Sequence, residues 1–235
     1  MKVVQCILVN LFLIILLVNN GMMIFAMNTG FIIEELTEQE KNTVISNLDI
    51  SVLKNEPEKK AIECFDVNQN DEIAIVYSVF DKKTICVYNE TTFLYGFTFN
   101  SSGSIGVEWD GSNLNIYFVR SDVIISINSK GEILNVAKAK NTVENNSYVN
   151  SFIYSRKRIV GDKEYIIKNN SSVLSIFSSS YSQLIVVNTD GNETILYDVS
   201  SLQAIKILTV CSIIIIFFLL MLIIIRNFNK IKRGT

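Results

Sequence analysis

The chain has 235 residues, a net charge of −2 and no histidine. Without histidine there is no Ser-His-Asp or Cys-His catalysis, no His-ligated zinc or haem, and no imidazole pH switch. Lys2 and the four basic residues of the C-terminal tail leave −7 on everything between them, once their five charges are taken from −2; nucleic acid, which needs clustered Lys and Arg, is excluded as a partner.

Lys2 opens an uncharged stretch over 3–31, whose core at 7–18 has the length of a signal-peptide hydrophobic region. No clean small-x-small cleavage signal comes after it, since Ala26 has Ile24 two places ahead of it and Gly21 has Asn19. Residues 1–27 therefore read as a signal peptide or a first transmembrane helix, and either one exports the chain beyond it. Residues 28–59 form a short helix and a connector. Thr37 and Glu40 make a capping box, Leu36, Val44, Ile45 and Leu48 lie at helical spacing, and Pro57 sits in a solvated link.

From residue 60 to 203 the pattern becomes that of strands. A β-rich run, a polar turn and a second β-rich run recur at 72–79 and 84–89, 113–119 and 122–128, 150–155 and 163–169, and 183–188 and 193–199. Further strands are predicted at 62–67, 93–100, 104–109, 133–137 and 173–177. The units start 41, 37 and 33 residues apart, and apolar residues such as Ile73, Ile75 and Tyr77 alternate within them. That period, with generic turn sequences such as Phe65-Asp66 and Trp109-Asp110-Gly111, resembles the blades of β-propeller repeat proteins over 60–199. The resemblance implies an all-β, propeller-like stack of about four small antiparallel sheets; a β-sandwich or meander is the alternative.

Candidate chemistry is sparse. Asp66, Asn68 and Asn70 have the alternate spacing with which an EF-hand calcium loop begins, but Asp71 replaces the turn glycine and Tyr77 the bidentate Glu, so an Asx-rich turn is expected. Asn188, Asp190 and Asn192 repeat the theme faintly, and Asp190-Gly191 signals a hairpin. Glu72, Glu108, Asp110 and Asp122 are the acids from which a glycosidase-like pair would be drawn, although no spacing singles out two of them. Arg156, Lys157 and Arg158 read as a hydrated hairpin tip, and Trp109 as packing between sheets. Cys64 and Cys86, the two cysteines of the exported part, are either a disulfide or two buried thiols. No residue is assigned as catalytic, cofactor-binding or metal-ligating, and no cofactor is implied.

Lys206 precedes nineteen uncharged residues, 207–225, which make about 28 Å of helix against a bilayer core of about 30 Å. Residues 204–225 are thus read as a transmembrane helix and 226–235 as a basic cytoplasmic tail that obeys the positive-inside rule. The expected protein is anchored in the cell membrane in one or two passes. Its main domain is extracytoplasmic, it comes from an AT-rich bacterial genome, and it serves as a non-catalytic binding or scaffolding module. Its partners would be the lipid bilayer and another membrane protein or a surface ligand. The alternatives are a cell-envelope hydrolase with a carboxylate pair, or an accessory or sensor subunit of a larger membrane complex.

Overall fold

Short polar turns cut the chain into strands that pair with their sequence neighbours. The computed structural model describes residues 27–79, 82–101, 103–170 and 180–233. In chain order the elements are β1 (Ile33–Glu35), α1 (Glu38–Asn47), β2 (Ser51–Leu53), β3 (Cys64–Val67), β4 (Glu72–Val79), β5 (Lys82–Asn89), β6 (Thr92–Asn100), β7 (Ile105–Asp110), β8 (Asn113–Phe118), β9 (Val123–Ile127) and β10 (Ile133–Ala139). A helix, α2 (Val143–Tyr148), and a π-helical turn (Val149–Ile153) then lead to β11 (Lys157–Val160), β12 (Lys163–Lys168), β13 (Gln183–Val187), β14 (Glu193–Asp198) and α3 (Ser200–Arg233). The predicted strand 173–177 and the hydrophobic stretch before Met27 lie outside the described residues.

The strands form three open antiparallel sheets. Each is a four-stranded meander: β3 to β6, β7 to β10, and β11 to β14. The stretch before residue 60 is built into this body, because β2 adds to the free edge of β6 and β1 to that of β10. The first strands of the meanders meet: β3 lies against β7 and β11. All three start at the end from which α3 departs. There Val199 N–H donates to the Ser182 carbonyl, Ile62 bridges Tyr181, and Cys64 approaches the Ile105 carbonyl. We call this end proximal and the opposite end distal.

The sheet β3–β6 is the filling of the stack. One face packs Phe65, Ile73, Ile75, Tyr77 and Tyr88 against Tyr165, Leu184 and Tyr197 of the third sheet. The other packs Ala74, Val76, Ile85, Val87 and Phe97 against Ile105, Val107, Ile116 and Ile125 of the second. Each fully buried aromatic or branched side chain contributes about 1.5–3 kcal/mol. The outer face of the second sheet is covered by Met27, Phe31 and Ile153, which pack on Tyr117, Ile124 and Ala137.

Two expectations need correction. Residues 150–155 are not a strand. Tyr148, Val149, Phe152 and Ile153 fall at i, i+1, i+4 and i+5, and Thr142 caps the helix by accepting from Asn145 N–H, so the helical period wins over the apparent alternation. Consequently the third and fourth predicted units share one sheet, joined where β12 pairs with β13, and three sheets are described where about four were expected. Of the two readings of Cys64 and Cys86, the structure has the buried thiols. Cys64 faces the second sheet and Cys86 the third, two strands or about 10 Å apart across the sheet, beyond reach of a bond.

α3 comes after β14 with Val199 between them, and Asp198 accepts Ser200 N–H at 2.7 Å. None of its described residues joins the apolar cores, and the large hydrophobic side chains described between Leu202 and Ile224 are exposed on every side of it. Among the described residues no helix is long and apolar enough to cross a membrane.

Candidate functional site

The meeting of β3, β7 and β11 carries an ion pair built into the core. Asp66 on β3 and Arg158 on β11 are each 6% exposed at the side chain, with Nε donating to Oδ1 at 2.6 Å. The second carboxylate oxygen accepts Trp109 N–H at 2.7 Å, and the indole N–H donates to the Asp66 carbonyl. The guanidinium stacks over Phe152 at 4.2 Å and faces Phe65 at 5.5 Å. Burial pushes the Asp66 carboxyl up against the opposing pull of Arg158. Arg158, expected at a hydrated hairpin tip, is instead the tie between the first and third sheets. The strand period puts Arg158 and Val160 on one face of β11 and Lys157 and Ile159 on the other, but two charged residues followed by two apolar ones give no local sign of which face is buried.

Glu108 is the second polar hub, 5% exposed on β7. It accepts from Tyr148 Oη at 2.5 Å, from Asn115 Nδ2 at 3.3 Å and from the Thr29 hydroxyl. Asp110, two residues on and on the same face of the strand, accepts Asn28 N–H at 2.9 Å. These are the only two of the four candidate acids that the fold brings together, and residues 28 and 29 lie over them. Glu72 instead accepts from Asn68 in the β3–β4 turn, and Asp122 accepts from Tyr117 at the proximal end.

The Asp66 to Asp71 segment is no cation loop. Asn68 Oδ1 accepts the N–H groups of Asn70 and Glu72, Asp66 is spent on Arg158 and Trp109, and Asp71 turns away to the third sheet. Among the described residues no group of His, Cys, Asp and Glu is arranged to hold a metal ion.

An open cleft of about 290 Å³ lies at the distal end between the first and third sheets. Its floor is apolar, from Ile73, Val186 and Leu196, and its rim is polar. On the rim Asp71 accepts from Lys163 at 2.6 Å and from Tyr165 Oη at 2.7 Å. The Lys163 contact holds the Asp71 carboxyl below its ordinary value, while Asp71 raises Lys163. Asp71 and Glu90 both hold left-handed backbone, at φ 59° and 52°, and both line this cleft; for Glu90 that conformation carries strain. Apolar floor and polar rim suit a small ligand or a protruding side chain rather than proton transfer, because Asp71 is already ionised and paired. The sequence showed Asp71 only as a broken calcium position; its partners come from a strand about ninety residues later, which no local pattern reveals.

No known protein family, no curated protein and no solved structure matches this chain.

Proposed function

We propose that the protein is a membrane-anchored, non-catalytic binding or scaffolding module of the cell envelope. Its body is an open, propeller-like stack of sheets held outside the cytoplasm. The observation that carries this reading is α3. A helix whose described large apolar side chains are exposed all round, none of them in a core of its own chain, needs an apolar medium. A bilayer supplies one at the length of the 207–225 run. Arg226, Lys230, Lys232 and Arg233 come directly after that run, a bias that favours the tail on the cytoplasmic side and the body outside.

The distal cleft, on the far side of the body from α3, is the surface best placed to meet a ligand or a neighbouring membrane protein. A carboxylate-pair hydrolase fits less well: Glu108 and Asp110 lie under residues 28 and 29, and Asp71 is bound to Lys163 and Tyr165.

The test uses the full chain with a C-terminal epitope, expressed in a bacterial host. Washing the membranes with alkaline carbonate is expected to leave the protein in the pellet. Protease added outside cells stripped of their wall is expected to digest the body and spare the epitope. Release by carbonate, or loss of the epitope with the body intact, would overturn the reading.

A further inference from the structure

The two apolar ends of this chain do not approach the body from the same side. α3 leaves the proximal end, next to Tyr181 and Ser182. The segment just after the N-terminal apolar stretch enters near the distal end. Asn28 N–H donates to Asp110, the last residue of β7, and the Asn28 carbonyl accepts from Asn115. From there the chain runs back across the second sheet to Ile33, which pairs with Ala139 at the proximal end.

The entry point is fixed by packing. Met27 and Phe31 are buried, and Phe31 lies 4.6 Å from the Tyr117 ring and 5.0 Å from that of Tyr148. Gly30 is pressed so closely on Tyr148 that an added Cβ would fall 2.2 Å from its ring. Residues 27–31 cannot swing free to lengthen a tether without dismantling this cluster.

If α3 spans the bilayer, as proposed above, a second span by the N-terminal stretch meets a limit of length. A helix of about 20 residues starting at Val3 would end near Met22, and the five residues left before Asn28 reach about 17 Å when fully extended. The path back is longer. Five strand steps from Asp110 to the level of Ile105 take about 17 Å. The first seven residues of α3, ahead of the apolar run, hold the body about 10 Å farther out. A retained helix would also have to stretch Met22, Met23, Ile24 and Phe25 through water along the flank of the body.

We infer that the N-terminal stretch is a leader removed by a membrane-bound peptidase, and that the mature chain begins no later than Met27. The step is a hydrolysis: water adds across one peptide bond, the C–N bond breaks, and the products are a carboxylate on the leader and a new α-ammonium on the body. The Ala26–Met27 bond is the natural limit, since Ala26 is the only alanine ahead of the buried segment. A cut there leaves the new cation one residue from Asp110, whose carboxylate accepts from a backbone N–H rather than a charged group. The inference rests on α3 as the anchor, and it reduces two candidate spans to one.

The test is the amino terminus of the full chain, purified from membranes through a C-terminal epitope and read by intact mass and terminal sequencing. A first residue between Asn19 and Met27 is expected, with loss of 18 to 26 residues; any other first residue, Met1 and Lys2 included, overturns the inference. Carbonate extraction of the same sample separates the two claims. A carbonate-resistant chain that keeps its first residues refutes the cleavage and leaves the anchor standing. A chain that carbonate releases and that starts between Asn19 and Met27 refutes the anchor and keeps the cleavage; one released with its first residues intact refutes both.

Discussion

At the scale of single residues, the stack depends on charges and thiols that have been taken out of water. Arg158→Leu strands the Asp66 carboxylate in the core without its cation. The expected loss is on the order of 3–5 kcal/mol in a urea titration of the purified protein. Because the penalty belongs to the orphaned charge, adding Asp66→Asn should recover much of it; a double variant no more stable than the single one would contradict this. Gly30→Ala forces a methyl into the Tyr148 ring and is expected to cost about 1–3 kcal/mol. The thiols set an alkaline limit. Burial pushes Cys64 up to about 12 and Cys86 up to about 11, whereas both titrate near 8.5 in an unfolded chain, to within about a unit. An acid whose folded value is raised keeps its proton while the unfolded chain releases it. The stabilisation is therefore complete below about pH 8.5 and declines as the pH climbs towards the folded values, by up to about 1.4 kcal/mol per pH unit for each thiol. Cys64→Ala should flatten that decline between about pH 8.5 and 10, below the range in which unfolded tyrosines ionise. An unchanged slope would show that the thiol titrates alike in both states.

At the scale of elements, what was legible depended on whether a signal was local. The capping box of α1 is formed as its letters suggest: Thr37 accepts Glu40 N–H, and Glu40 accepts Thr37 N–H at 2.8 Å. Because α1 buries no residue completely, Thr37→Ala is expected to lower helix stability by about 1 kcal/mol. Hydrogen exchange should speed up in 38–47 and stay unchanged in β3 to β6. The strands β4, β8 and β12 to β14 start where the alternation places them, and the 188–192 hairpin turns on Gly191 at φ 78°. The π-helical turn reads as a strand because Phe152, Ile153 and Tyr154 are strand-favouring residues between polar neighbours, while its helical sign is the single Tyr148–Phe152 stack at i, i+4 and the seat of Phe152 under the Arg158 guanidinium. The distal cleft was equally hidden. Its charged pair, Asp71 in the β3–β4 turn and Lys163 at the start of β12, is brought together only by the stacking of the sheets.

At the scale of the molecule, the middle sheet explains why the body holds as one unit. Both of its faces are apolar, so neither neighbour can leave without exposing a core. Among the described residues the large apolar side chains of α3 are turned outward, away from the body. Ending the chain after Val199 should accordingly yield a body that stays in solution without detergent and melts as the full chain does; aggregation of that fragment would mean that α3 covers part of the body. The central claim, that α3 lies in lipid, has a built-in probe in Cys211, exposed midway along the helix while Cys64 and Cys86 are buried. Sealed membranes carrying the full chain, with Cys6 replaced by Ser, can be treated with a membrane-impermeant maleimide before and after opening with detergent. Cys211 is predicted to stay unmodified in the sealed and in the freshly broken membranes and to react once detergent strips the lipid away; modification in untreated membranes would contradict the account.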